Sequence, residues 1–165
     1  MPDGYSRVLL IAVSVEVIVK YLKIFSSQNM YPMTMTLSSW GLVGWLRFIA
    51  KSGGARSSAV HLILYVEANS TEICFCDTQK FYFSRQVALG SADLERGAVK
   101  DVLEQINLTM TAYVQEKMGP APTAGIILAS ATATQILQDN LKRTFDFEMI
   151  AQSPAQEITD RRAHV

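Results

Sequence analysis

The sequence has little of the charge that nucleic-acid-binding proteins display. Charged residues make up 18% of its 165 residues, and 15 Lys and Arg balance 15 Asp and Glu. A protein that neutralises a phosphate backbone normally carries a basic excess, so the composition argues against nucleic acid as a partner. A surface with few charges favours contact with other protein chains.

Histidine and cysteine are also scarce, which limits the catalytic and metal chemistry. His61 opens an apolar strand and is expected to be structural, while His164 lies in a polar tail, so no hydrolase triad is predicted. Cys74 and Cys76 are too few for a disulfide framework, and their i, i+2 spacing points both to one face of a strand. We therefore expect reduced core cysteines, no catalytic residue and no metal site.

Long hydrophobic runs are missing as well. The most apolar stretch, Val8 to Val19, is interrupted by Ser14 and Glu16 and is too short and too polar to span a bilayer. It also lacks the pattern of a signal peptide. The expected location is the cytoplasm, without direct membrane insertion.

The front of the chain, residues 1–52, is predicted to be a β-α-β-α segment. Its elements are a strand over 7–13, a helix over 14–27, a strand over 33–37 and a helix over 39–50. Ser14 is the expected N-cap of the first helix, Asn29 its left-handed terminator, and Ser38 or Ser39 the N-cap of the second helix. The Gly- and Ser-rich residues 53–58 form the predicted linker.

Behind the linker, residues 59–152 follow the order β-β-β-α-β-α-β, and residues 153–165 form a polar tail. The predicted elements are strands over 61–66, 72–77 and 81–89, one long helix from Ser91 towards Gly119, a strand over 125–129, a helix from Thr132 to about Arg143 and a strand over 147–150. Two tight connections in series indicate an antiparallel meander, and the later helices indicate right-handed crossovers. The predicted fold class is therefore α/β, a ribonuclease-H-like mixed sheet with helices packed on it.

Two segments carry a resemblance to a known superfamily. Residues 63–74 and 81–90 resemble the second phosphate-binding hairpin of actin-like ATPases, and residues 125–143 resemble the strand and helix that contact adenosine. Within this superfamily the chain is most similar to the type IV pilus assembly PilM family, with the FtsA cell-division family as a relative. The resemblance implies one lobe of an actin-like protein that binds the cytosolic tail of an inner-membrane pilus protein at the inner face of the membrane.

The residues that would bind a nucleotide by this resemblance depart from the family pattern. Glu67 takes the acid position and Thr71 the hydroxyl position, beside Ser70, but Asn69 stands where the family has Gly. Asn tolerates the positive φ of such a turn, although it hinders close approach to a phosphate. The adenosine loop, with Ser130 and Thr132, contains no glycine, and no first phosphate loop precedes residue 60.

These departures predict that the chain is not a working ATPase and needs no cofactor, with binding of Mg-ATP as the alternative. The same residues have a structural interpretation, in which Ser70 and Thr71 complete a turn and Ser130 and Thr132 cap a helix. On the second helix, Trp40, Trp45 and Phe48 form either part of the core or a docking stripe for a partner.

Three functions remain open from the sequence. The first is a non-catalytic scaffold of a pilus or secretion platform, acting by protein–protein interaction, either as a single chain or as a homo-oligomer. The second is an ATP-binding switch completed by another lobe or chain. The third is the cytoplasmic domain of a protein like the type II secretion L protein.

Overall fold

The computed structural model describes residues 12–51, 53, 55 and 58–152. It divides into two compact units, Met1–Thr36 and Leu37–Val165. This division precedes the predicted linker at 53–58, because the helix before that linker packs on the sheet that follows it. The polar tail over 153–165 lies outside the described residues.

The first unit contains helix α1, Val15–Ser27, in agreement with the predicted helix. Asn29 terminates it in the left-handed conformation, with a φ of 55°. Ser14 is the N-cap residue, as predicted, and has an extended conformation, although its side chain makes no capping hydrogen bond. No residue of α1 is buried.

The two strands predicted in this unit have different outcomes. Most of the strand predicted over 7–13 lies outside the described residues. The strand predicted over 33–37 is wrong, since this segment is irregular and Met33 is 100% exposed. An alternating pattern forms a strand only where a neighbouring strand bonds its backbone, and none of the described sheet pairings includes this segment.

The second unit is built on a five-stranded mixed sheet with the strand order β3-β2-β1-β4-β5. Its strands are β1 His61–Val66, β2 Thr71–Cys76, β3 Phe81–Val87, β4 Ala124–Leu128 and β5 Met149–Ala151. β1, β2 and β3 form an antiparallel meander, whereas β4 runs parallel to both β1 and β5. The predicted meander and the parallel, central fourth strand are therefore present.

Helices cover both faces of this sheet. Helix α2, Ser38–Lys51, packs on one face, where Val43, Leu46 and Ile49 bury their side chains against β1, β2 and β4. Helices α3 Ser91–Glu95, α4 Val99–Gln115 and α5 Ala131–Leu141 cover the other face. Residues alternate between the faces along each strand, so β1 sends Leu62 and Leu64 to one core and Ile63 to the other.

The long helix predicted from Ser91 is two helices. Gly97 adopts a φ of 94°, which a helix does not accommodate, and it separates α3 from α4. Gly90, the residue before the predicted start at Ser91, occupies the N-cap of α3, and the Gly90 N–H donates a hydrogen bond to the Asp93 carboxylate at 2.9 Å. Beyond α4 the chain turns at Lys117, with a φ of 49°.

Candidate functional site

The predicted nucleotide-binding residues do come together at one edge of the sheet. β1 and β4 are parallel neighbours, with Tyr65 opposite Leu128, so the residues that follow them meet at the carboxyl ends of these strands. Glu67 follows β1 and Ser130 follows β4, while Thr71 begins β2 at the same edge. Ligands of open α/β sheets bind at such edges, which makes this the first candidate site. We call it the carboxyl edge.

The β1–β2 turn at this edge is closed by its own hydrogen bonds. The Glu67 N–H donates to the Ser70 carbonyl oxygen at 2.8 Å, and the Ser70 hydroxyl donates to Glu67 Oε2 at 3.0 Å. Gln86 Nε2 donates to the Ser70 hydroxyl oxygen at 3.1 Å. Asn69 is exposed and does not have a positive φ, so the tolerance of Asn for the left-handed conformation is not used at this position. The turn therefore does not have the backbone geometry of a phosphate-binding glycine loop.

Helix α3 packs its amino end directly onto this turn. The N–H groups of Ser91 and Ala92 donate to the carbonyl oxygens of Glu67 and Ala68 at 2.8 and 3.0 Å. A Cβ added to Gly90 would lie 2.4 Å from the Glu67 oxygen, so glycine is needed for this contact. Backbone amides that could otherwise bind an anion are thus occupied by carbonyl oxygens of the same chain.

A carboxylate stands at the same helix end. Asp93 accepts hydrogen bonds from the Gly90 N–H and from Arg96 Nη2, the latter at 2.7 Å. The hydrogen bond from Gly90 is the main cause that lowers the pKa of Asp93, with a further contribution from Arg96. An ionised Asp93 at this helix end disfavours a phosphate group that arrives without a metal ion.

Thr71 and Ser130 have structural contacts in agreement with their structural interpretation. The buried Thr71 hydroxyl donates to the Leu89 carbonyl oxygen at 2.7 Å, which joins the start of β2 to the segment after β3. Ser130 is the N-cap of α5, and its hydroxyl oxygen accepts from the Ala133 N–H at 3.3 Å. The predicted capping box starting at Thr132 is wrong by two residues, because Thr132 lies inside the helix and is exposed.

The aromatic residues of α2 divide between the core and the surface. Trp45 and Phe48 are partly buried against the α2 side of the sheet, whereas Trp40 is 42% exposed and lies 6.1 Å, centroid to centroid, from Phe81. The Trp45 Nε1 atom is buried without a hydrogen-bond partner in the described part of the chain. Two of the three residues thus contribute to packing, and Trp40 is the one most open to contact.

Sequence reasoning did not anticipate the role of Glu72. Its carboxylate is buried between β2 and α2 and accepts hydrogen bonds from the Ser38 and Ser39 hydroxyls at 2.7 and 2.5 Å. Ser39 also shares a hydrogen bond of 2.9 Å with Ser84 on β3. These serines were predicted as helix caps, but they tie the start of α2 to the sheet. An acid inside an otherwise apolar strand was the available signal.

A second concave region lies at the opposite edge, beside the amino ends of β1, β4 and β5. It is a cavity of about 410 Å³, and its lining includes His61, Thr123, Gly125, Asp146, Phe147 and Glu148. We call it the amino-edge cavity. His61 is buried, its Nδ1 lies 3.0 Å from the Ala59 carbonyl oxygen, and burial lowers its pKa. The structural role predicted for His61 agrees with this placement, although its position beside a cavity was not foreseen.

The described residues were searched for membrane-spanning helices and for metal-binding groups of side chains. No helix among them is long and apolar enough to cross a bilayer. No three His, Cys, Asp or Glu side chains in the described part are grouped so that they could hold a metal ion. Cys74 and Cys76 are both buried and reduced, and their mutual hydrogen bond and burial raise the pKa of Cys74.

The fold places the chain in the ribonuclease-H-like α/β class found in actin-like ATPases, which confirms the predicted fold class. A chain of the PilM-PilN type IV pilus biogenesis complex superposes with a TM-score of 0.60 and 14% sequence identity, over 86% of this chain and 48% of that one. The chain therefore spans about half the length of this structural neighbour.

A weaker similarity connects the chain with the apo ParM protein of pSK41, at a TM-score of 0.39 and 13% identity over 61% of this chain and 38% of that one. No protein-family model matches the sequence. No curated protein matches it either.

Proposed function

We propose that the chain is a non-catalytic scaffold of a pilus or secretion assembly platform, acting through protein–protein interaction. The observation that carries this proposal is the closed state of the carboxyl edge, where α3 donates its first amides to the Glu67 and Ala68 carbonyl oxygens. A site that must surround a nucleotide keeps such donors free, as phosphate-binding loops do.

The structural similarity supports the kind of partner. The neighbour belongs to a complex described as a type IV pilus biogenesis complex, and its fold is shared by 86% of this chain. A partner of the same kind would be the cytosolic tail of an inner-membrane pilus or secretion protein, met at the cytoplasmic face of the membrane. The low charged fraction of 18% is in keeping with a surface that contacts proteins.

An ATP-binding switch is the second candidate, because Glu67, Thr71 and Ser130 do meet at one edge of the sheet. A carboxylate and two hydroxyls could hold a magnesium-bound phosphate if α3 moved away from the turn. A second lobe or chain would have to supply the remaining contacts.

Calorimetric titration with Mg-ATP separates the two candidates. The scaffold proposal expects no saturable heat at millimolar nucleotide. Saturable binding that disappears in Glu67→Ala would favour the switch, whereas binding retained in that variant would show that nucleotide binds elsewhere.

Copurification tests the scaffold directly. Tagged chain should retain a bitopic membrane protein of the platform when the two are coexpressed, and should retain it equally with Glu67→Ala. If no platform component is retained under conditions where a two-lobed relative retains one, the scaffold proposal is wrong.

A further inference from the structure

The amino-edge cavity combines an apolar wall with an acidic rim. Phe147 and Ile150 contribute apolar surface to its lining, beside Gly125. Asp146 and Glu148 stand at the rim, and both are exposed. Of the described lining residues, His61 is the other ionisable one, and burial lowers its pKa and so favours the neutral ring. The described lining therefore carries negative charge only.

The local sequence explains why these side chains converge. The segment just before β5 alternates between partly buried aromatic residues, Phe145 and Phe147, and exposed acidic residues, Asp146 and Glu148. The Gly125 N–H donates to the Glu148 carbonyl oxygen at 3.0 Å, which joins this segment to β4. The backbone of Glu148 is thus held by the sheet, next to the start of β5.

We propose that the amino-edge cavity binds a short basic segment of a protein partner, with a Lys or Arg side chain at Asp146 and Glu148 and a neighbouring apolar side chain against Phe147 and Ile150. This inference rests on the proposed scaffold function and gives it a binding surface. That surface lies at the opposite edge of the sheet from the nucleotide-like loops.

Charge complementarity selects this partner. Cytosolic segments next to a membrane span carry an excess of Lys and Arg, so the tail of a bitopic membrane protein is basic. Such a tail finds oppositely charged groups at the rim, which steer its approach, and an apolar surface, which anchors it. A cavity of about 410 Å³ is large enough for one or two side chains rather than for a folded domain.

Selection from a random peptide library displayed on phage, with the full chain as bait, tests the inference without knowledge of the natural partner. The selected peptides should be enriched in Lys or Arg next to Leu, Ile or Phe. The strongest peptide is then labelled, and its affinity is measured by fluorescence anisotropy.

The double variant Asp146→Asn with Glu148→Gln should weaken this peptide about tenfold or more, because both attractive charges are lost while the shape of the rim is kept. Glu104→Gln, which neutralises an exposed acid on α4, is the matched control and should change the affinity less than about twofold. Circular dichroism of each variant checks that the fold is retained. Raising the salt concentration should weaken the wild-type complex and have a smaller effect on the double variant.

Three results would overturn the inference: peptides without basic enrichment, equal affinity for the wild type and the double variant, or a concentration-dependent dimer that the double variant abolishes. Equal affinities would reject only the cavity, because a scaffold with another docking surface would still bind the peptide. Failure of the copurification experiment would instead reject the scaffold itself.

Discussion

At the scale of single residues, Glu72 shows how a buried acid is tolerated between two apolar layers. Its side chain is 7% exposed, and both carboxylate oxygens accept a hydroxyl hydrogen bond from the start of α2. A buried polar group without such partners would cost free energy of folding. Glu72 therefore specifies where α2 begins its contact with the sheet.

Replacing Glu72 by Ala should lower the free energy of unfolding by about 1–3 kcal/mol, because the buried Ser39 hydroxyl loses its carboxylate acceptor. Urea denaturation followed by circular dichroism measures the change. Glu72→Gln is the matched variant, since it keeps one acceptor oxygen and the side-chain volume, and it should cost less. Equal losses in the two variants would mean that the charge and the second acceptor oxygen, which both variants lack, account for the effect.

At the scale of elements, the contact between the β1–β2 turn and α3 determines whether the backbone amides at the carboxyl edge are free to bind a ligand. This contact exists because Gly90 allows its backbone to approach the Glu67 and Ala68 carbonyl oxygens, at distances that a Cβ atom would not permit. The backbone of Gly90 has a φ of −132°, so the glycine is needed for space and not for its conformational freedom.

Gly90→Ala should therefore destabilise the protein by about 1–3 kcal/mol, because the new methyl group meets backbone atoms that cannot rotate away. The matched control is Gly44→Ala on α2, where an added Cβ meets no atom within 4 Å. That substitution should stabilise the protein by about 0.5–1 kcal/mol through helix propensity. Thermal unfolding should show a lower melting temperature for Gly90→Ala and a higher one for Gly44→Ala. Stabilisation by Gly90→Ala would contradict the close contact.

At the scale of the whole molecule, both apolar cores lie within the second unit. One core joins α3, α4 and α5 to the sheet and includes Phe75 stacked on Tyr113 at 4.0 Å, and the other joins α2 to the opposite face. All buried residues of both cores fall between Leu42 and Met149. The second unit thus contains the contacts that a folded domain requires.

A fragment of residues 37–165 should therefore fold by itself and unfold cooperatively in urea. Circular dichroism and denaturation curves measured with two spectroscopic probes check this expectation. The same fragment with Phe75→Ala is the control and should lose about 3–5 kcal/mol, because a fully buried ring is removed. A broad transition in the unmodified fragment would show that residues 1–36 contribute to the core.

The sequence predicted most strands and helices of the second unit because their signals are local. Continuous apolar runs over β1 and β4 indicated strands buried on both faces, and the short connections around Asn69 and Thr78 indicated a meander. The strand predicted over 33–37 is wrong because a strand also needs a neighbouring strand to pair with, and alternation along the sequence does not supply one. The break at Gly97 was missed because the apolar spacing continues through it.

For the candidate site, too, the sequence indicated what depends on local pattern and not what depends on contacts between distant segments. The resemblance to actin-like ATPases grouped Glu67, Thr71 and Ser130 as nucleotide-binding positions. It could not show that α3 occupies the turn, that Ser38 and Ser39 bond to Glu72, or that Asp146 and Glu148 border a cavity with His61. Each of these contacts joins residues that are distant along the chain.

The sequence by itself thus determined the α/β class, the five strands of the second unit and the absence of a glycine-rich nucleotide loop, because these depend on composition and short-range periodicity. Only the tertiary structure decided that the carboxyl edge is closed by its own backbone and that an acidic cavity lies at the other edge. Hydrogen bonds and cavities between distant segments depend on how the layers pack, and periodicity carries no information about that packing.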